Sequence, residues 1–93
     1  RSLHAAGISV EGEEVLVLGA GGAAAAVVFA LIEASAGLTY ICNRKLERAQ
    51  RLASTVPAFA RARIRTIPWQ ERIEWLQMRP VTVIVNATSV GMH

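Results

Sequence analysis

Val15-Leu-Val-Leu-Gly-Ala-Gly-Gly-Ala-Ala24 is an apolar run that enters a glycine-rich turn and continues into a long alanine-rich stretch. Strand, glycines and helix in that order suit a dinucleotide pyrophosphate. Gly19 permits the sharp turn out of the strand. Gly21 carries no Cβ, so the backbone can come close to phosphate, and Ala24 fills the third small position, where helix and sheet pack tightly. The first N–H groups of a helix have no partner within it, and the helix dipole favours negative charge there. Phosphate binding by Gly19, Ala20, Gly21, Gly22 and Ala23 would therefore rest on main chain. A G-x-G-x-x-A match also fits an ordinary strand-to-helix turn; the flanking strand and helix favour the dinucleotide.

Outward from this turn, strands and helices alternate. The first strand is predicted at Glu14 to Leu18 and a helix at Gly22 to Ala36, ended by Gly37. Upstream, Arg1 to Ala6 reads as a helix end capped by Gly7, and Ser9 to Glu13 as a polar connector. Leu38 to Cys42 has the β-branched and aromatic content of a second buried strand. Lys45 to Ser54 carries Leu46, Ala49, Leu52 and Ala53 on one face, as a helix would. Arg61, Arg63 and Arg65 alternate with Ala62 and Ile64, and Ile67 lies beyond, which predicts an edge strand with a solvated side. Pro68 is expected to open a helix in which Trp69, Ile73 and Leu76 share a face, with Pro80 at its end. Both tryptophans are assigned to core packing. Val81 to Val85 reads as a fourth buried strand and Asn86 to Met92 as a loop. The fold class is α/β: a Rossmann-like doubly wound parallel sheet, partial, with about four strands in the order 3-2-1-4.

Composition bounds the function. The chain has 93 residues, with ten Lys and Arg against seven Asp and Glu. That length makes one small domain, here 1–93, and the apolar content argues against disorder. Ala23 to Ile32 is too short to span a bilayer and no secretory signal is evident, so the cytoplasm is expected, with no membrane partner. Cys42, the single cysteine, sits in an apolar strand and reads as a buried, inert thiol. His4 and His93 have no partners at metal-ligand spacing, so no metal is expected. The arginine clusters, Arg44 to Arg51 and Arg61 to Arg65, can attract nucleic acid, yet no aromatic residues interleave and no recognition motif appears. Nucleic acid is therefore not the expected partner. The chain opens at Arg1 and stops at His93 just after Gly-Met, and is expected to be a segment of a longer protein.

The residue closing the second strand should meet the adenosine ribose, about twenty positions beyond the glycine turn. An acidic residue there would bind both ribose hydroxyls and repel a 2′-phosphate. Here Asn43-Arg44-Lys45 stands instead, and Arg48 lies one helical turn after Arg44. A guanidinium presents a planar fork of donors to phosphate. Cations at the start of a helix are mildly unfavourable without an anion. The expected cofactor is NADP(H) rather than NAD(H).

Three blocks together, Gly19-Ala-Gly-Gly-Ala, Asn43-Arg44 with Arg48 and Ala49, and Asn86-Ala-Thr-Ser-Val-Gly-Met, resemble the cofactor domain of shikimate dehydrogenases. The resemblance covers nearly the whole chain and keeps the blocks in order. It implies an NADP-dependent oxidoreductase of aromatic amino-acid biosynthesis that reversibly reduces 3-dehydroshikimate to shikimate. By the same resemblance, Gly19 to Ala23 would cradle the pyrophosphate, Asn43, Arg44 and Arg48 the 2′-phosphate end, and Asn86, Ala87, Thr88, Ser89 and Met92 would border the nicotinamide. Lys45 stands where the family usually has Thr, and adds positive charge. The family's catalytic lysine and aspartate belong to an N-terminal substrate domain outside this chain, so no catalytic residue is assigned and Lys45 is not one. The family's sheet also continues past the fourth strand, so the isolated segment is expected to be marginally stable or to self-associate through that edge. A quinate/shikimate dehydrogenase of broader range and a non-catalytic NADP-sensing module stay open, as does oligomeric state. NAD-using members tend to carry an acidic residue near Asn43, whereas here none occurs before Glu47.

Overall fold

Four strands, β1 (Val15–Leu18), β2 (Thr39–Asn43), β3 (Ile64–Pro68) and β4 (Val83–Asn86), form one sheet in the order β3-β2-β1-β4. Every pairing is parallel, with Val15 opposite both Thr39 and Val83, and Thr39 opposite Ile64. The computed structural model describes residues 9–79, 81 and 83–88. Helices α1 (Gly22–Glu33), α2 (Leu46–Ser54), α3 (Ala58–Arg61) and α4 (Arg72–Met78) supply the connections. The fold is the doubly wound parallel sheet that the alternation predicted.

Side chains alternate across a strand, so β1, β2 and β3 each serve two cores. Val15, Val17, Ile41 and Ile64 point to one face, where Ala24, Val28 and Leu31 of α1 and Ala49 and Leu52 of α2 cover them. Leu16, Tyr40, Cys42 and Ile67 point to the other, against Trp69, Trp75 and Leu76. Ala24 is fully buried, so the small residue at the third motif position brings α1 close to the sheet. Among the described residues no helix is long and apolar enough to cross a membrane.

Several elements differ from expectation. Helix α1 stops at Glu33 rather than Ala36, and the left-handed residue is Ser35 (φ 60°), not Gly37. Ser35 N–H donates to the Ile32 carbonyl and Ala36 N–H to the Leu31 carbonyl, the pair of bonds that closes a Schellman motif. Ala36 then bridges antiparallel to Glu11. Gly37 is needed for space: a Cβ there would lie 2.8 Å from the Gly12 carbonyl oxygen.

The arginine run is not an alternating strand. Arg61 ends α3, and β3 begins only at Ile64, although β3 is the edge strand that was expected. The guanidinium groups bind main-chain carbonyls: Arg61 to Val56 (2.9 Å), Arg63 to Ala36 (3.2 Å), and Arg65 to Ala62 and Ile64. They satisfy acceptors left over at helix and strand ends.

After Pro68, the last residue of β3, a 3₁₀ turn (Trp69–Glu71) precedes α4. Its tighter winding, three residues per turn instead of 3.6, shifts the phase of α4. Ile73 is consequently 57% exposed, and Trp75 takes the inward place beside Trp69 and Leu76. β4 runs from Val83 to Asn86 and is only half buried: Val83 and Val85 join a core, whereas Ile84 is 54% exposed. The helix end at Arg1 to Ala6, its cap Gly7, and Pro80 lie outside the described residues.

Candidate functional site

The carboxyl ends of β1, β2 and β4 meet where the strand order reverses, the place where open α/β sheets form a crevice. Gly19 turns the chain there with φ +115°. Its N–H donates to the Cys42 carbonyl of β2 (2.8 Å), and Ala87 N–H donates to the Leu18 carbonyl (2.8 Å), so the turn is pinned on both sides. Cys42 beneath it is fully buried, and burial pushes its thiol pKa up while the Arg72 charge offsets part of the rise.

Above this floor opens a cleft of about 450 Å³. One wall is the glycine turn and the start of α1, Gly19 to Ala23; the second is Asn43, Arg44 and Arg48; the third is Asn86, Ala87 and Thr88. Three sequence blocks, each about twenty residues or more from the next, thus line one space.

Each wall has a distinct chemistry. At the start of α1, Ala25 N–H makes the first helical bond, to the Gly21 carbonyl (2.9 Å). Among the described residues no side chain caps this helix, and no acidic residue stands in its first turn, so the amides ahead of Ala25 suit an external acceptor. On the second wall, Arg44 and Arg48 are exposed and, among the described residues, neither side chain has an ion pair or hydrogen bond. Arg48 also lines an adjoining hollow between α1 and α2 that reaches Arg51 and Thr55. On the third wall, Asn86 Oδ1 accepts both the Thr88 N–H (3.2 Å) and the Thr88 hydroxyl (2.8 Å), folding the loop back on the end of β4.

The expectations for Lys45 and Trp69 need adjustment. Lys45 does not line the cleft; it is the N-cap of α2, and its carbonyl accepts the Asn43 side-chain amide (3.1 Å). Ser89 and Met92 lie outside the described residues. Trp69, assigned to the core alone from its sequence, also lines the cleft, with Arg44 5.4 Å and Arg72 4.0 Å from its ring centroid. The signal was its position: it directly succeeds β3, at the carboxyl edge where ligands gather.

Known proteins match this chain along most of its length. The sequence pattern of the family described as shikimate / quinate 5-dehydrogenase matches residues 3–90. A protein of Dictyoglomus thermophilum named shikimate dehydrogenase (NADP(+)) is 43% identical over 83% of this chain and 27% of its own length. One of Pyrobaculum aerophilum with the same name is 42% identical over 91% of this chain and 30% of its own. The crystal structure of shikimate dehydrogenase from Aquifex aeolicus superposes with TM-score 0.72 at 36% identity, covering 99% of this chain and 30% of that one. The chain thus spans about three tenths of the length of these relatives. A match over nearly all its residues, in a cleft whose three walls are the three recognised blocks, places it: the chain belongs to the shikimate / quinate 5-dehydrogenase family.

Proposed function

We propose that residues 1–93 form part of the cofactor domain of an NADP-dependent shikimate dehydrogenase, working in the cytoplasm. The observation that carries this is the meeting of two anion-seeking surfaces in one cleft. The uncapped start of α1 faces it from one side, and Arg44 and Arg48, without acidic partners among the described residues, face it from another. An extended dinucleotide with a pyrophosphate in its middle and a phosphate on its adenosine ribose answers both. NADPH, when bound, supplies the hydride that reduces the ketone of 3-dehydroshikimate to the alcohol of shikimate.

The chain's own residues bind and orient. Gly19 to Ala23 take the pyrophosphate on main-chain N–H groups, which need no reorganisation to do so. Asn43 shapes the end of β2 through its bond to the Lys45 carbonyl, and Arg44 and Arg48 bind the 2′-phosphate, with Lys45 adding charge nearby. The loop from Asn86 through Ala87 and Thr88 toward Ser89 and Met92 borders the nicotinamide. No residue here is assigned to proton transfer.

Calorimetric titration of the purified protein with NADPH and with NADH tests this. NADPH is expected to bind at least about tenfold more tightly, the difference coming from charge-assisted bonds to one extra phosphate. Equal affinities, or no heat with either, overturn the proposal.

A further inference from the structure

We propose that Trp69 is a positioning residue that sets the preference for the phosphorylated cofactor by holding Arg44 at the cleft. This rests on the function proposed above and deepens it. Trp69 is half buried: its indole packs against the core formed by Leu16, Tyr40, Cys42 and Ile67, yet it also lines the cleft. Arg72 secures it, donating to the Trp69 carbonyl (2.8 Å) and placing its guanidinium 4.0 Å from the ring centroid. Arg44, otherwise without a side-chain partner among the described residues, lies 5.4 Å from the same ring. A cation over an aromatic ring is held through the ring's quadrupole, without consuming N–H donors. Arg44 is thus restrained while its donors stay available for phosphate. An exposed arginine loses much of its rotamer freedom when it is fixed in place; an indole that has already restricted it lowers that cost at the moment of binding. Arg48 stands in the first turn of α2, so the helix fixes the direction in which it leaves the backbone.

The test is a double-mutant cycle in the purified protein, read as dissociation constants for NADPH and NADH. Trp69→Leu is expected to weaken NADPH about fivefold and leave NADH within about twofold, and Trp69→Phe to recover most of the loss. Arg44→Ala is expected to cost less in the Trp69→Leu background than in the parent. Equal losses for both cofactors, or fully additive effects of the two substitutions, overturn the role of Trp69. A parent protein that binds neither cofactor refutes the underlying function instead, and that outcome is read before any variant is made. A melting curve of Trp69→Leu identifies loss of fold, and Trp69→Phe, which keeps the aromatic packing, reads the role in a folded protein.

Discussion

Gly19 and Ala87 are in such close approach that a Cβ on Gly19 would lie 2.8 Å from the Ala87 carbonyl oxygen and 2.9 Å from its carbonyl carbon. Backbone cannot yield as a flexible side chain can, and φ of +115° is itself unfavourable for any residue with a Cβ. Both penalties act on the same substitution. Gly19→Ala is expected to destabilise the protein by about 2–6 kcal/mol, the strain and the overpacking each contributing roughly 1–3 kcal/mol. The midpoint of urea unfolding measures it, and a change below about 0.5 kcal/mol, the range of ordinary surface substitutions, contradicts it.

Gly21 predicts the opposite separation. Nothing lies within 4 Å of a Cβ built there, and its φ of −88° is open to any residue. Gly21→Ala should leave stability within about 0.5 kcal/mol. The added methyl would instead occupy the space through which phosphate reaches the amides of α1. NADPH and NADH affinity should both fall, by about tenfold or more, roughly the loss of one charge-assisted hydrogen bond. Binding loss without melting loss distinguishes this glycine from Gly19.

Arg44→Ala and Arg48→Ala should act on one cofactor. A hydrogen bond to a charged group contributes about 1.5–3 kcal/mol, so each change is expected to weaken NADPH by about ten- to a hundredfold. NADH, lacking the phosphate, should lose much less. Because both side chains are exposed, the NADPH preference should also shrink as salt rises, the Debye length falling to about 3 Å at 1 M. Titrations in low and high salt check the sign.

Ser35 carries a cost that can be removed. It is exposed and occupies the left-handed position that ends α1, where a Cβ is disfavoured by about 1–2 kcal/mol. Glycine avoids that penalty but loses more entropy on folding, so Ser35→Gly is expected to stabilise by about 0.5–1 kcal/mol. A rise in the unfolding midpoint with unchanged cofactor affinity is the expected result; a fall means the hydroxyl contributes more than the backbone strain costs.

How legible these features were depended on whether the cause was local. Val15 to Ala24 specifies its turn through residue types that act on their own neighbours, so strand, turn and helix could be read directly. Asn43, Arg44 and Arg48 could be placed from there, since their position relative to the glycines is fixed by the βαβ unit. The end of α1 was missed because a serine took the left-handed site while Gly37, the obvious cap, answers a contact with Gly12. Alternation at Arg61 to Arg65 imitated a strand, but those side chains serve carbonyls as distant as Ala36. Trp69 looked like core and is core on one side; its second role depends on Arg44, which lies far off in sequence.

Alkaline pH should reveal the two acids buried under the α4 face. Burial raises the Cys42 thiol above its ordinary range, and it raises the Tyr40 phenol too, with the Glu14 charge and the hydrogen bond to Glu14 (3.2 Å) adding to the shift. In both cases the folded state holds its proton to higher pH than the unfolded chain does. Below the ordinary thiol value, about pH 8.5, both groups are protonated in either state and their packing contributes in full. Above it the unfolded chain ionises first, so stability falls with rising pH, through the thiol and then, above about pH 10, the phenol. Unfolding midpoints from about pH 7 to about pH 10.5 should decline. Cys42→Ala should flatten the earlier part of that decline and Tyr40→Phe the later part, each from a lower starting stability because a buried group has been trimmed or a hydrogen bond lost. A midpoint that holds constant or rises across this range would mean that neither proton is retained by folding.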